Sequence, residues 1–170
     1  MKIRIFIFLS AFSFLLKGQI YFEKKYNYGG QDICQSIIQS NDSTYYGISN
    51  SLSANTLSFI LQKFNAHGDT LISKEYMIPY NQFYSARNSL VKTHDGNFIV
   101  AQTLIDSAGL NYYSVLLKFD NNCDTIWMKR FGAISFIAGR DCYETKEHEI
   151  ILTGDVDITG NGQDDFYLIK

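Results

Sequence analysis

The chain has 170 residues, one proline, 12 glycines and a formal net charge of −2, and 46% of it is hydrophobic. Those values bound it to about one domain and exclude a natively disordered polymer. No block of like charge occurs, which removes any strong pull toward nucleic acid, and the 12 tyrosines and 13 phenylalanines favour strands over helices.

Lys2 and Arg4 open the chain, followed by an uncharged apolar run over residues 5–16 and a polar Lys17-Gly18-Gln19. A basic start, a short apolar run and a polar end describe a signal peptide over residues 1–19, cleaved near Gly18 or Gln19. As a helix that run rises only about 18 Å against a hydrocarbon core of about 30 Å, so no membrane span is expected after cleavage. The alternative is an uncleaved anchor or a buried first strand. The expected address is secreted or outer cell surface through the Sec pathway. Without the leader, 12 basic side chains face 17 acidic ones, a net charge of −5, which further disfavours nucleic acid or an anionic membrane as partner.

Residues 20–28 read as a lead-in strand, an isolated fourth strand, because Lys24-Lys25-Tyr26 parallels Lys74-Glu75-Tyr76 and Lys129-Arg130-Phe131. Unit 1 spans 29–77, with strands expected at 33–39, 44–50, 58–64 and 70–77. Unit 2 spans 78–131, with strands at 88–93, 98–105, 112–119 and 125–131. Its separators are His94-Asp95-Gly96-Asn97, Asp106-Ser107-Ala108-Gly109 and Asp120-Asn121-Asn122-Cys123-Asp124, each rich in turn-forming residues. Unit 3, incomplete, spans 132–170 with strands at 141–146, 149–158 and 165–170.

The units repeat. Leu61-Gln62-Lys63-Phe64 matches Leu116-Leu117-Lys118-Phe119, and Tyr167-Leu168-Ile169-Lys170 begins a third copy. Lys63 and Lys118 lie 55 residues apart, Lys118 and Lys170 lie 52 apart, and Gly47, Ala101 and Gly154 recur at steps of 54 and 53. Four antiparallel strands in such a period correspond to a propeller blade, whose two faces need stacked neighbours to bury them. The expected fold class is therefore all-β: four-stranded antiparallel blade repeats in a partial, open β-propeller. An open β-sandwich or a β-solenoid is the alternative. On this reading the chain is the opening portion of a longer protein, and further blades in cis or another copy would cover its open edge.

Gly139-Arg140-Asp141, Asp95-Gly96-Asn97-Phe98-Ile99, Leu116 to Asp120 and Asp124-Thr125-Ile126-Trp127 resemble the blade pattern of secreted repeat proteins from Bacteroidota-type bacteria. Such blades are similar to those of quinoprotein-like propellers, and full-length members often end in a C-terminal sorting domain. Asp120 to Trp127 also resembles, loosely, the Asp-boxes of sialidase propellers. Unit 1 departs from the pattern, with Ile72 where unit 2 has Trp127. The resemblance implies structural repeats and no single activity.

No catalytic, cofactor-binding or metal residue is assigned from the sequence. The richest polar cluster, from Asp155 to Asp165, has the alternating oxygens of a calcium loop, but Phe166 stands where an EF-hand needs its Glu. A solvated hairpin loop is the plainer reading. His67, His94 and His148 fall in expected turns at spacings of 27 and 54, which match no metal motif. Glu147 and Glu149 have a glycosidase-like residue type but sit at a turn. Tyr45, Tyr46, Tyr80, Tyr84, Tyr112 and Tyr113 are candidates for sugar or partner stacking, or for packing between blades. Cys34, Cys123 and Cys142 permit at most one disulfide, and at least two read as buried small hydrophobes. No nucleophile elbow occurs, and a quinone would need axial polar residues that cannot be assigned. The function expected is a secreted, non-enzymatic binding or surface-interaction module for a protein or carbohydrate ligand. The alternative is a fragment of an extracellular polysaccharide hydrolase or lyase whose catalytic residues lie outside the chain.

Overall fold

The structure, a computed structural model, describes residues 22–41, 43–53, 56–77, 82–84, 90–106, 108–109, 111–134 and 136–170. The expected leader over 1–19 lies outside them. The described residues are all-β, and no helix among them is long and apolar enough to cross a membrane.

Three antiparallel sheets follow one another along the chain. The first is a meander of β1 (Gln31–Asn41), β2 (Thr44–Ser53), β3 (Thr56–Asn65) and β4 (Thr70–Tyr76). The second joins β7 (Phe98–Ile105), β8 (Tyr112–Phe119) and β9 (Thr125–Ile134) in order. On the edge of β7 away from β8, β5 (Gln82–Tyr84) pairs with Thr103–Ile105 and β6 (Leu90–Lys92) with Phe98–Val100. The third sheet is β10 (Ile137–Glu144), β11 (Ile150–Val156) and β12 (Asp165–Ile169).

The second sheet lies between the other two, which explains its nearly unbroken apolar strands. Side chains alternate across a strand, so Phe98, Val100 and Leu104 of β7 pack with Val115, Leu117 and Phe119 of β8 against Tyr46, Ile48, Phe59 and Leu61 of the first sheet. Ile99, Ala101 and Leu116 point the other way, onto Cys142 and Leu152 of the third. Each of these fully buried large side chains contributes about 1.5–3 kcal/mol. Cys123 closes the first core and Cys142 lies in the second, as expected for small hydrophobes, while Cys34 is exposed. Ile72 and Trp127 occupy the same register position, opposite Lys63 and Lys118, and each packs toward the following sheet. The departure of unit 1 from the pattern is thus a change of side chain at one shared site.

The hairpin turns share a local design. Residues 65–69, 93–97, 120–124 and 145–149 each close with two backbone hydrogen bonds between the first residue and the fourth and fifth. The fourth residue needs a positive φ, which glycine meets without a Cβ clash. Gly68 and Gly96 stand there in two turns, Cys123 and His148 in the others.

Two expectations are corrected. Residues 22–28 form no strand; Ile20 and Tyr21 lie outside the described residues. The segment nevertheless reproduces the contacts of a fourth strand. Lys24 pairs with Asp69 at 3.0 Å and the Tyr26 hydroxyl donates to the Gly68 carbonyl at 2.5 Å. One junction later Lys74 pairs with Asp124 at 2.5 Å and the Tyr76 hydroxyl donates to the Cys123 carbonyl. Tyr26 lies 5.0 Å from the Phe64 ring, and Tyr76 lies 5.2 Å from that of Phe119. The parallel between Lys24–Tyr26 and Lys74–Tyr76 is therefore physical, but among the described residues the segment joins no ladder. The second correction is the strand count of unit 2. Leu90–Lys92 falls within the expected strand at 88–93, of which residues 88 and 89 lie outside the described ones, and β5 adds a fifth strand on the same edge of β7. A three-residue strand such as β5 carries too little alternation to be read from sequence.

Candidate functional site

Two of the sequence's polar candidates meet at the turn end of the second and third sheets, and one residue that was not singled out completes the group. Glu144 ends β10, where it faces Ile150 across the hairpin. His148 occupies the left-handed position of the following turn, with φ 63°. His94 lies in the turn between β6 and β7 of the neighbouring sheet. The Glu144 carboxylate accepts a hydrogen bond from the His94 amide at 2.6 Å and stands 2.8 Å from its Nδ1, both through Oε2. Its other oxygen lies 3.8 Å from Nδ1 of His148. The two imidazoles meet edge to face, 4.6 Å between centroids at 87°.

The carboxylate is only 9% exposed, whereas the His94 and His148 side chains are 52% and 64% exposed. Burial alone raises the Glu144 carboxyl, but the His94 amide and ring hydrogen bonds, with both imidazole charges, outweigh it and hold the group below its ordinary value. An anionic carboxylate is thus pinned between two rings, with the ring side open to water.

His67 stays apart, exposed in the turn after β3. Sequence spacing hid the pair because 54 residues matches no metal motif. It does match the step of the repeat, which puts His94 and His148 in the first hairpin of adjacent sheets. Glu144 carried no motif at all.

The other candidates resolve differently. Asp157 turns its oxygens onto the loop's own backbone, accepting from Gly160 at 2.7 Å, Asn161 at 3.2 Å and Gly162 at 2.8 Å. Those donors, the Gly162 N–H foremost, outweigh burial and lower its carboxyl. Asp155 pairs with Arg140 at 2.5 Å. The two leading carboxylates of the calcium-like cluster are therefore committed to protein donors, which fits the hairpin-loop reading. Glu149 pairs with Lys170 at 2.5 Å, and Glu147 is exposed beside it. Tyr46 is fully buried, with its hydroxyl on the Asn121 carbonyl at 2.9 Å, and Tyr45, Tyr112 and Tyr113 are half-buried. Tyr80 and the Tyr84 side chain lie outside the described residues.

A cleft of about 480 Å³ adjoins His148, lined by Trp127, Lys129, Phe131 and Ile169 among others. Lys129 and Phe131 stand where Lys74 and Tyr76 stand one unit earlier, so the cleft is the open counterpart of the first junction. The second cavity, about 410 Å³, lies between the 22–28 segment and the first sheet, lined by Phe22, Tyr26, Tyr45 and Phe64 among others.

Comparison with known protein families gives no match, and comparison with curated proteins gives none either.

Proposed function

We propose that this is a secreted, non-enzymatic repeat protein of the Bacteroidota-type β-propeller design, its three sheets standing as successive blades, and that it serves binding or cell-surface interaction. The observation that carries this reading is the repeated junction: Lys24 and Tyr26 on Gly68 and Asp69, then Lys74 and Tyr76 on Cys123 and Asp124. Equivalent contacts at equivalent positions are what a stack of like units requires. The outer face of the third sheet supports an interaction role. Tyr143, Phe166 and Leu168 are 61%, 75% and 57% exposed there, while Tyr167 and Ile169 point inward. That face is suited to another sheet of the same design, in cis or from a second copy.

The test incubates the chain, leader removed, with an array of extracellular polysaccharides and surface proteins, and measures retention alongside the release of reducing ends or unsaturated sugars. Saturable retention without product supports the binding reading. Product formation above a heat-inactivated control would overturn it in favour of a hydrolase or lyase, and absence of any retention would remove the binding role.

A further inference from the structure

We propose that His94, Glu144 and His148 bind a divalent transition cation of the zinc class, joining the second and third sheets through their first hairpins. Two imidazoles and a carboxylate form a borderline-soft ligand set, which suits zinc, copper or nickel and leaves calcium and magnesium, which prefer all-oxygen cages, at a disadvantage. The three ligand atoms all lie within 4.8 Å of one another. A tetrahedral ion with bonds of about 2.0–2.2 Å spaces its ligands about 3.4 Å apart. The 2.8 Å from Oε2 of Glu144 to His94 Nδ1 and the 3.8 Å from its Oε1 to His148 Nδ1 bracket that spacing, and both rings are exposed.

Three features go beyond proximity. The His94 amide fixes one carboxylate oxygen at 2.6 Å, the kind of outer hydrogen bond that orients a metal ligand. The carboxylate is sheltered while both rings are open, so a fourth position is accessible to water or substrate oxygen. The third is the backbone of His148. In the matching turns this left-handed position holds Gly68, Gly96 or Cys123, and Cys123 is buried in a core. His148 is exposed and buried in no core; its contacts are the His94 ring and the Glu144 carboxylate, beside which the left-handed backbone places it. Ligands on two sheets give the cation a mechanical role, since an ion bound only when the sheets are docked stabilises their docking.

Zinc titration of the full chain by calorimetry, with melting followed in parallel, tests the proposal. The expected result is one equivalent bound and a raised Tm that chelator reverses. His94→Ala and His148→Asn, the latter chosen because Asn tolerates the left-handed backbone, should each weaken binding by at least about tenfold. His67→Ala should leave it unchanged. Cobalt should give a ligand-field absorption that both site variants lose. Both substitutions replace exposed side chains, and circular dichroism checks that the fold persists. No saturable zinc uptake, or uptake unaltered by His94→Ala and His148→Asn, would overturn the proposal.

Discussion

Gln102 is the most informative single position for testing how the sheets pack. It lies in the middle of β7, on the same face as Phe98, Val100 and Leu104, and is 0% exposed. Among the described residues, neither its amide nitrogen nor its carbonyl oxygen has a hydrogen-bond partner. Each buried group left unsatisfied costs about 1–3 kcal/mol, and methionine replaces the side chain at similar volume with a packing cost below about 1.5 kcal/mol. Gln102→Met should therefore stabilise the protein by about 0.5–6 kcal/mol, raising Tm by roughly 2–4 °C per kcal/mol. Gln62 provides the contrast. It is also buried, but its amide donates to the Tyr28 hydroxyl and its carbonyl accepts from Ser49 at 3.5 Å. Gln62→Met should cost about 1–3 kcal/mol. Urea unfolding with linear extrapolation measures both. A loss of stability in Gln102→Met with the fold intact would refute the reasoning, since it would mean that a buried water or ligand satisfies the amide.

Other outcomes follow from named contacts. In Gly154→Ala the new Cβ would lie 1.9 Å from the Ala138 carbonyl oxygen and 2.6 Å from the Tyr167 ring; Tm should fall by an amount equivalent to at least about 1–3 kcal/mol, and an unchanged Tm would contradict the packing of β10 and β12 on β11. Asp157 carries a lowered carboxyl pKa in the folded chain. Its contribution to stability is present above the unfolded value of about 3.9 and is lost as pH falls through the native one. Asp157→Asn should thus be less stable than the parent at neutral pH, with the gap closing in acid; a gap independent of pH would refute the linkage. Burial pushes the Cys123 thiol up to about 11 and the Cys142 thiol up to about 12, so at mildly alkaline pH a thiol reagent should label exposed Cys34 rapidly and the other two only on unfolding. Rapid labelling of a second cysteine in the native protein would contradict the burial.

The all-β character, the repeat and most strand positions were legible in the residues alone, because each is a local property. The strands at 98–105 and 112–119 coincide with β7 and β8, bounded by turns whose Asp, Asn and Gly residues dictate the backbone. That at least two of the three cysteines would be buried followed from the residue type, and Cys123 and Cys142 are the two. What a local pattern cannot carry is the partner of a strand edge or the neighbour of a turn. Residues 22–28 have the residues of a fourth strand and make its side-chain contacts, yet they form no ladder, since a strand exists only where another edge accepts its hydrogen bonds.

The same distinction governs the candidate site. The sequence by itself determined that His94 and His148 would lie in turns, one repeat apart. Only the stacking of the second sheet on the third decided that those turns meet and that Glu144 comes between them. The physical reason is one of range. Turn chemistry acts over four or five residues, whereas the side chains that converge at this site are brought together by two apolar cores that form only when the sheets pack face to face.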